Sequence, residues 1–411
     1  MDFSKRTNSN QTNVFFKFNV SNKYVFENNG KKKDLLPNNL SIEIVSKFKE
    51  FKEFYKLPFQ LYKDNLFWIP TFWHEFKNFF KQNNPFWSHS ESVLFLLRKN
   101  NLPVGRIAAI IDHKFCENEG KKIGYFGFFE CINDFKCAES LFNIVQNYLH
   151  SKGMTYMRGP IDGRVDVGCG FLLSGYDSSP GFLSSYSHQY YIKFAEKFNF
   201  KKLRDLYIYY IDLTKPISKK LKEKALDCSK SGIKIRNFNR FHTKKELNWW
   251  VKLFLETFED HWGYVPVSGE EVRTRFGIKQ MRWFVDTKLF LIAELDNKSV
   301  AYIWSTPDYN QIFKKMKGKL GPYQLLQFVI FNRKINIGKL PLIGIKKEYR
   351  NKNIGSYLNY LTLVEMKKRG YVSAEVGWID ENNQIANTTI AITGAKVYKK
   401  YRVFEKQIDM S

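Results

Sequence analysis

The chain has 411 residues, of which 44% are hydrophobic and 17% aromatic, enough for the cores of two or three domains. It contains no apolar run long enough to cross a bilayer and no apolar segment near its polar N-terminus, so we expect neither a spanning helix nor a secretory signal. The five cysteines lack the spacing of a disulfide framework or a zinc site, so we expect no metal. The predicted location is the cytoplasm.

The net charge of +26 would attract nucleic acid, anionic lipid or an anionic cofactor. Lysine and arginine are spread over the whole chain, and no recognised nucleic-acid-binding module accompanies them. Nucleic acid is therefore not the expected partner. Peripheral contact with an anionic membrane and the oligomeric state stay open.

The first half begins with a polar extension over residues 1–40, which contains Lys31-Lys32-Lys33. Apolar periodicity predicts a helix from about Ser41 through Phe54. Further elements follow in order: strands at 93–98, 104–112 and 123–131, a helix at 138–150, a strand at 154–158 and a last strand at 206–213. Residues 214–223 have the composition of a linker.

The second half repeats this order. Segments ending at Pro70, Leu97 and Ile107 have counterparts about 196 residues later, and the glycines that end two helices, Gly153 and Gly370, are about 217 residues apart. A constant offset predicts a duplication, and the late jump predicts an insertion. The predicted domains are 41–212 and 213–408, with the insertion at 309–339.

The insertion interleaves apolar residues with lysines and arginines. Such a basic amphipathic segment could rest on an anionic bilayer, line a tunnel for a long acyl chain, or pack as an ordinary helical lid. Its periodicity alone does not separate these three alternatives.

The most informative stretch runs from Leu342 to Gly370. A short apolar strand ends in a polar turn, and an amphipathic helix follows, with Lys367, Lys368 and Arg369 in its last turn. Unpaired backbone N–H groups at the start of such a helix form a cradle for pyrophosphate.

Within this stretch, Arg350-Asn351-Lys352-Asn353-Ile354-Gly355 resembles the acyl-CoA signature of the GNAT superfamily, Gln/Arg-x-x-Gly-x-Gly/Ala. Asn353 stands where the first glycine is usual, and asparagine is the residue besides glycine that best tolerates positive φ. The resemblance implies a mixed, mostly antiparallel sheet flanked by helices in each half, an α/β (α+β) fold. It also implies acyl-CoA as co-substrate. The implied cofactor-binding residues are Ile343, Ile345, Arg350, Asn351, Lys352, Asn353, Ile354, Gly355, Ser356 and Asn383.

The resemblance also implies attack of an amine on the thioester, for which a base must accept a proton from the amine. Glu375, in the strand after the helix, is the first choice, with Asp380 and Glu381 as runners-up. The family's usual acid, a tyrosine, falls at Ile390, so Tyr398 or Tyr401 is the predicted substitute. Glu375 is equally explained as a carboxylate on a solvated strand, and Tyr398 is better explained as an ordinary core aromatic residue.

The first half has no glycine in the corresponding turn, so we expect it not to bind CoA and to shape the acceptor site through Arg158, Asp162 and the loop up to Asp177. Segments such as Trp262-Gly263-Tyr264-Val265-Pro266 resemble a tandem-GNAT bacterial family of uncharacterised acyltransferases that is similar to bacterial ceramide synthases. The resemblance implies an N-acyltransferase acting on a small-molecule or lipid amine, with a role in sphingolipid metabolism as its sharper form. A non-catalytic CoA-binding protein is the alternative.

Overall fold

The computed structural model describes residues 39–276 and 285–409. The strands in chain order are β1 (Leu40–Ile44), β2 (Ser90–Lys99), β3 (Leu102–Asp112), β4 (Ile123–Cys131), β5 (Tyr156–Gly159), β6 (Phe171–Ser174), β7 (Lys201–Asp212), β8 (Lys234–Asn237), β9 (Phe290–Leu295), β10 (Lys298–Pro307), β11 (Ile337–Ile345), β12 (Ser373–Asp380) and β13 (Lys396–Gln407).

The described helices are α1 (Phe48–Leu61), α2 (Trp73–Phe79), α3 (His113–Glu119), α4 (Phe135–Ser151), α5 (Tyr190–Lys197), α6 (Lys219–Ser229), α7 (Thr243–Phe258), α8 (Gly269–Arg275), α9 (Asn310–Met316), α10 (Pro322–Asn332), α11 (Ile354–Lys368) and α12 (Gln384–Ala391). All but the last two residues of the predicted extension 1–40 lie outside the described residues.

The described strands form one thirteen-stranded sheet in the order β1-β2-β3-β4-β5-β13-β7-β12-β11-β10-β9-β8, with β6 paired to β13. Among these strands, β4 with β5 and β11 with β12 are parallel pairs, and the other pairs are antiparallel. The predicted mixed, mostly antiparallel sheet flanked by helices is confirmed.

The two halves exchange their last strands. β7, from the first half, pairs with β12 of the second half, and β13, from the second half, pairs with β5 of the first half. β7 and β13 also pair with each other along most of their length. The predicted boundary between 212 and 213 falls at the end of β7, and the sheet continues across it.

Helices cover both faces of the sheet. In β7, Leu206 and Ile208 join one core with the aromatic side chains of α1 and α7, whereas Tyr209 and Ile211 join a core with α6 and α11 on the other face. This alternation is the two-residue period of a strand buried on both sides. A third core, under α4 and α5, lies on the same face as α11 but in the first half.

Two sequence expectations are wrong in detail. The helix expected from Ser41 begins at Phe48, because Leu40–Ile44 pair with β2 as a strand and Glu50 accepts hydrogen bonds from the backbone N–H groups of Ser46 and Lys47. The expected linker 214–223 contains the start of α6, because Leu221 and later apolar side chains of that helix are buried.

A buried ion cluster at the end of β3 joins the halves. His89, just before β2, contacts Asp112 Oδ1 at 2.9 Å and Glu271 Oε2 of α8 at 3.2 Å, and Arg164 also contacts Glu271. Burial alone would lower the pKa of His89, but the hydrogen bonds to the two carboxylates raise it to about 9. The histidine is therefore charged at neutral pH and links a first-half strand to a second-half helix.

Candidate functional site

The turn that enters α11 has the backbone conformation of a glycine-rich loop without its glycines. Asn351 has a φ of 67° and Asn353 a φ of 58°, both in the left-handed region. Asparagine is among the few residues that adopt this region readily. The N–H groups of the first turn of α11 follow directly, so the turn retains the anion-binding geometry of a helix N-terminus.

Gly355 lies in the first turn of α11 and is buried against β11. A Cβ built on it would lie 3.2 Å from Ile345 Cδ1 and 3.8 Å from both Ile343 Cδ1 and Thr389 Cγ2. The backbone of the turn therefore fits closely against the end of β11 and against α12. Ile354 and Ser356 are buried beside it.

The two strands in front of this turn, β11 and β12, separate from each other. Parallel pairing between β11 and β12 runs from Ile337 opposite Ser373 to Leu340 opposite Val376 and then stops. Beyond that point β11 continues to Ile345 beside β10, and β12 continues to Asp380 beside β7. The strands therefore separate and leave a cleft between them, in which the edge of β11 is not paired with β12. The place of the thioester in this cleft stays a prediction.

The cations of the turn are held in place. Arg350 pairs with Asp260, Nη1 to Oδ2 at 3.0 Å, and donates to the carbonyl oxygen of Ile345. Lys352 is exposed, with its Nζ over the ring of Tyr349. Lys224 of α6, which sequence reasoning missed, donates to Asn353 Oδ1 at 3.1 Å and adds a cation to the turn.

Asn383 has a structural contact here. Its Oδ1 accepts a hydrogen bond from the N–H of Ala386 at 3.0 Å and so caps the start of α12. Its predicted contact with CoA stays a prediction.

Glu375 lies in the paired part of β12, one residue before Val376, where the pairing with β11 ends. It is directly opposite Lys339 of β11, whose Nζ lies 3.3 Å from Glu375 Oε2, and Tyr398 of β13 donates a hydrogen bond to Oε1. Lys339 is fully buried and Glu375 is 7% exposed. The structure thus brings together Glu375 and Tyr398, two of the predicted catalytic side chains, with a lysine that the sequence analysis did not select.

A loop of the first half covers this carboxylate. A side chain at Gly181 would collide with Glu375, and Ser184 Oγ accepts a hydrogen bond from Lys339 Nζ at 3.2 Å. The segment that reaches the second-half site is therefore 181–184, just beyond the predicted loop up to Asp177. Arg158 instead pairs with Glu405 at 2.7 Å and so joins β5 to β13, and Asp162 accepts from the N–H of Phe128 within the first half.

Two more ionisable groups surround the Glu375 cluster. Burial, together with the charge of Glu375, raises the pKa of Asp308 to about 7, and its Oδ1 accepts from the N–H of Phe182 at 2.8 Å. Burial lowers the pKa of Lys399 to about 8, although the charge of Glu375 opposes this shift. Lys399 donates to Ser178 Oγ at 2.6 Å. A charged residue inside an apolar strand was the sequence signal for Lys339, whereas Lys399 lies among other charged residues of β13 and had no such signal.

The remaining candidates lie apart from the cluster or serve other contacts. Tyr401 is 2% exposed and donates to the carbonyl oxygen of Ser185 at 2.8 Å, and burial raises its pKa far above its usual value. Asp380 lies 3.7 Å from Arg204, and Glu381 pairs with Lys202 at 2.7 Å. Ile390 is buried, so the position of the family's usual acid is part of the core.

The corresponding turn of the first half, at the start of α4, carries a carboxylate where the turn of α11 carries cations. Asp134 caps α4 by accepting from the N–H of Lys136 at 3.0 Å, and Lys99 pairs with the same carboxylate at 2.9 Å. A carboxylate already occupies the anion-binding end of this helix. This supports the expectation that the first half does not bind CoA.

Within residues 39–276 and 285–409, no cluster of three or more His, Cys, Asp or Glu side chains could hold a metal ion. In the same part of the chain, no helix is both long and apolar enough to cross a membrane.

No family model matches the chain. In sequence it is 27% identical over 366 residues to Protein YghO of Escherichia coli (strain K12), covering 87% of this chain and 93% of that protein. It is 26% identical over 377 residues to the bacterial ceramide synthase of Caulobacter vibrioides (strain NA1000 / CB15N), covering 90% and 98% of the two chains.

Among solved structures, a tandem GNAT protein from the clavulanic acid biosynthesis pathway aligns with a TM-score of 0.53 over 90% of this chain and 99% of its own, at 10% identity. At that identity the likeness shows the fold. The chain has the tandem GNAT fold, and the prediction of a tandem-GNAT protein similar to bacterial ceramide synthases is confirmed.

Proposed function

We propose that the protein is an N-acyltransferase that moves an acyl group from a CoA thioester to an amine. The observation that carries this proposal is the position of Glu375, a buried carboxylate at the point where β11 and β12 separate, in front of the anion-binding turn of α11. A tandem GNAT fold and the similarity to a bacterial ceramide synthase support acyl transfer as the reaction class.

The residues of the turn fit an acyl-CoA. The N–H groups at the start of α11 and the cations of Lys224, Arg350 and Lys352 would hold the pyrophosphate. The backbone groups of β11 between Leu342 and Ile345 that point away from β10 would hold the pantetheine arm, and their N–H groups would donate to the thioester carbonyl, where negative charge grows during attack.

Glu375, Lys339 and Tyr398 would have separate roles in the proton transfers of the reaction. Glu375 accepts a proton from the ammonium form of the amine, the neutral nitrogen then forms a bond to the thioester carbon, the carbon–sulfur bond breaks, and the nitrogen releases its second proton to solvent. Lys339 orients that carboxylate. Tyr398, whose hydroxyl donates to Glu375, would pass a proton to the leaving thiolate and recover one from the carboxyl group.

For the substrates, we propose a long-chain acyl-CoA as donor and a sphingoid-type amine as acceptor, met at the inner face of the cytoplasmic membrane. Two observations support this finer proposal. The Caulobacter relative is a bacterial ceramide synthase, and α10, close in the fold to the Glu375 cluster, exposes a row of apolar side chains.

The proposal is tested first by calorimetric titration of the full chain with acetyl-CoA and palmitoyl-CoA. We expect tighter binding of palmitoyl-CoA. We expect at least about tenfold weaker binding in Asn353→Asp, which tolerates positive φ as asparagine does but places a negative charge at the turn. Gly355→Glu should abolish binding by charge and bulk.

Asn133→Glu is the matched control, because it places an equal charge at the exposed start of the first-half helix α4. Thioester binding equal in all variants, or none in the wild type, would contradict the acyl-CoA site. Thioester binding that leads to no transfer to any amine would favour the non-catalytic alternative.

A further inference from the structure

Helix α10 is apolar on the side that faces away from the protein. None of its residues is buried, and its sequence, Pro322 to Asn332, contains no charged residue. The large apolar side chains with at least half of their surface exposed in this region are Leu320, Tyr323, Leu325, Leu326, Val329 and Ile330. An exposed apolar surface of this density on one short segment marks an interaction site.

The helix is held to the body of the protein from its other side. Phe328 and Phe331 pack against a small core formed by Phe72, Tyr309 and Ile312. The Nζ of Lys315 lies 3.7 Å from the centre of the Phe331 ring, which fixes this side chain further. The exposed row is therefore presented by an anchored helix.

Cations surround the apolar row on both sides. Lys314, Lys315, Lys317 and Lys319 precede it and Arg333 and Lys334 follow it, and all six are exposed. The sequence from Tyr309 to Gly338 contains no aspartate or glutamate. In the described part of the chain, none of the six pairs with a carboxylate. An apolar helix between solvated cations has the charge pattern that complements an anionic lipid surface.

We propose that α10 inserts its apolar row into the surface of an anionic bilayer while the six cations contact the lipid headgroups. The occupant of this surface is the bilayer rather than a second copy of the chain, because six like charges around the row would face six more across a two-fold contact. This inference does not depend on the proposed acyl transfer.

The core beneath α10 also connects the membrane surface to the Glu375 cluster. Phe182 packs against Tyr309 in this core, with ring centres 5.7 Å apart, and the backbone N–H of Phe182 donates to Asp308 beside Glu375. The helix α10 and the Glu375 cluster therefore contact the same small core from two sides.

The test is flotation of the purified full chain with phosphatidylcholine vesicles and with vesicles containing about 30% phosphatidylglycerol. We expect binding to the anionic vesicles, weakened by salt, and at least about tenfold weaker binding in the double variant Leu325→Asp/Val329→Asp. These two side chains are neighbours on the helix surface, four residues apart.

The control is Leu102→Asp/Phe241→Asp, which changes the net charge equally at side chains that are 68% and 94% exposed elsewhere. Circular dichroism verifies that both double variants fold. Equal binding of the two double variants would show a general attraction to the basic protein and overturn the proposal. Absence of binding to anionic vesicles, or a wild-type dimer that only the α10 variant dissociates, would also overturn it.

Discussion

At the scale of single residues, the sequence predicted the turn that enters α11 more completely than the side-chain cluster around Glu375. Asn353 has the left-handed conformation that its place in the motif requires, so a departure from the glycine pattern leaves the turn intact. Glu375 and Tyr398 were identified from the resemblance. Lys339 and Ser184 were missed, because their contacts depend on a strand register and on a loop more than 150 residues away in the chain.

The role of Glu375 predicts the behaviour of Glu375→Gln, which keeps the size of the side chain and removes the proton acceptor. We expect kcat/KM for the amine to fall about 100-fold or more, with unchanged acyl-CoA binding and partial recovery at high pH, where the amine is already neutral. Steady-state kinetics between pH 6 and 10 measure this.

Asp380→Asn makes the same chemical change at the end of the same strand and serves as its control. Full activity in Glu375→Gln together with a loss in Asp380→Asn would move the base to the strand end. Thermal unfolding of Glu375→Gln verifies the fold, because the variant leaves Lys339 buried without its carboxylate.

At the scale of elements, the periodic apolar patterns predicted most strands and helices. The boundaries that they missed depend on pairing between segments far apart in the chain. The predicted strand 342–345 begins instead at Ile337, because its first residues pair with β12, which lies beyond α11 in the chain. The predicted insertion becomes α9 and α10, and the last residues assigned to it belong to β11. The first residues of α6 were assigned to a linker, since only the contact of this helix with α11 shows what its buried side chains pack against.

Helix α6 brings Lys224 to the turn of α11, and this predicts an effect on cofactor affinity. Lys224→Met should weaken acyl-CoA binding about three- to tenfold, with a smaller difference from the wild type at high salt, because it removes a charge beside the pyrophosphate cradle. Titration calorimetry at two salt concentrations measures this. Lys222→Met, at an exposed position of the same helix, should bind like the wild type, and an equal loss in both would indicate a general charge effect.

At the scale of the whole molecule, the sequence repeat predicted two similar halves but not how they join. A repeat carries no information about which half a terminal strand pairs with, because the alternation along a strand sets which side chains are buried and not which strand is its neighbour. The ion cluster around His89 was also invisible in the sequence, since its members come from four separate segments of the chain.

This cluster predicts a pH dependence of stability. His89 has a pKa of about 9 in the folded protein, above its usual value of about 6.5, so its contribution is fully present below about pH 6.5 and is lost as pH rises through about 9. Urea unfolding at pH 6 and pH 9 should show a wild-type advantage over His89→Gln of about 1–2 kcal/mol at pH 6 that shrinks by pH 9.

The control for this series is His242→Gln, which replaces a histidine that is exposed. It should follow the wild type at both pH values. A His89→Gln protein whose stability changes with pH as the wild type's does would show that the histidine is not the titrating link between the halves.

The exchange of β7 and β13 also has a consequence for how the protein is made. The first half emerges from the ribosome almost two hundred residues before β13, so until β12 and β13 have been synthesised the edge of β5 has no partner and β7 lacks its neighbours in the sheet. The first half therefore cannot complete its sheet until β13 follows, and its exposed edge during synthesis is where a nascent chain would meet a chaperone or a neighbouring ribosome's product.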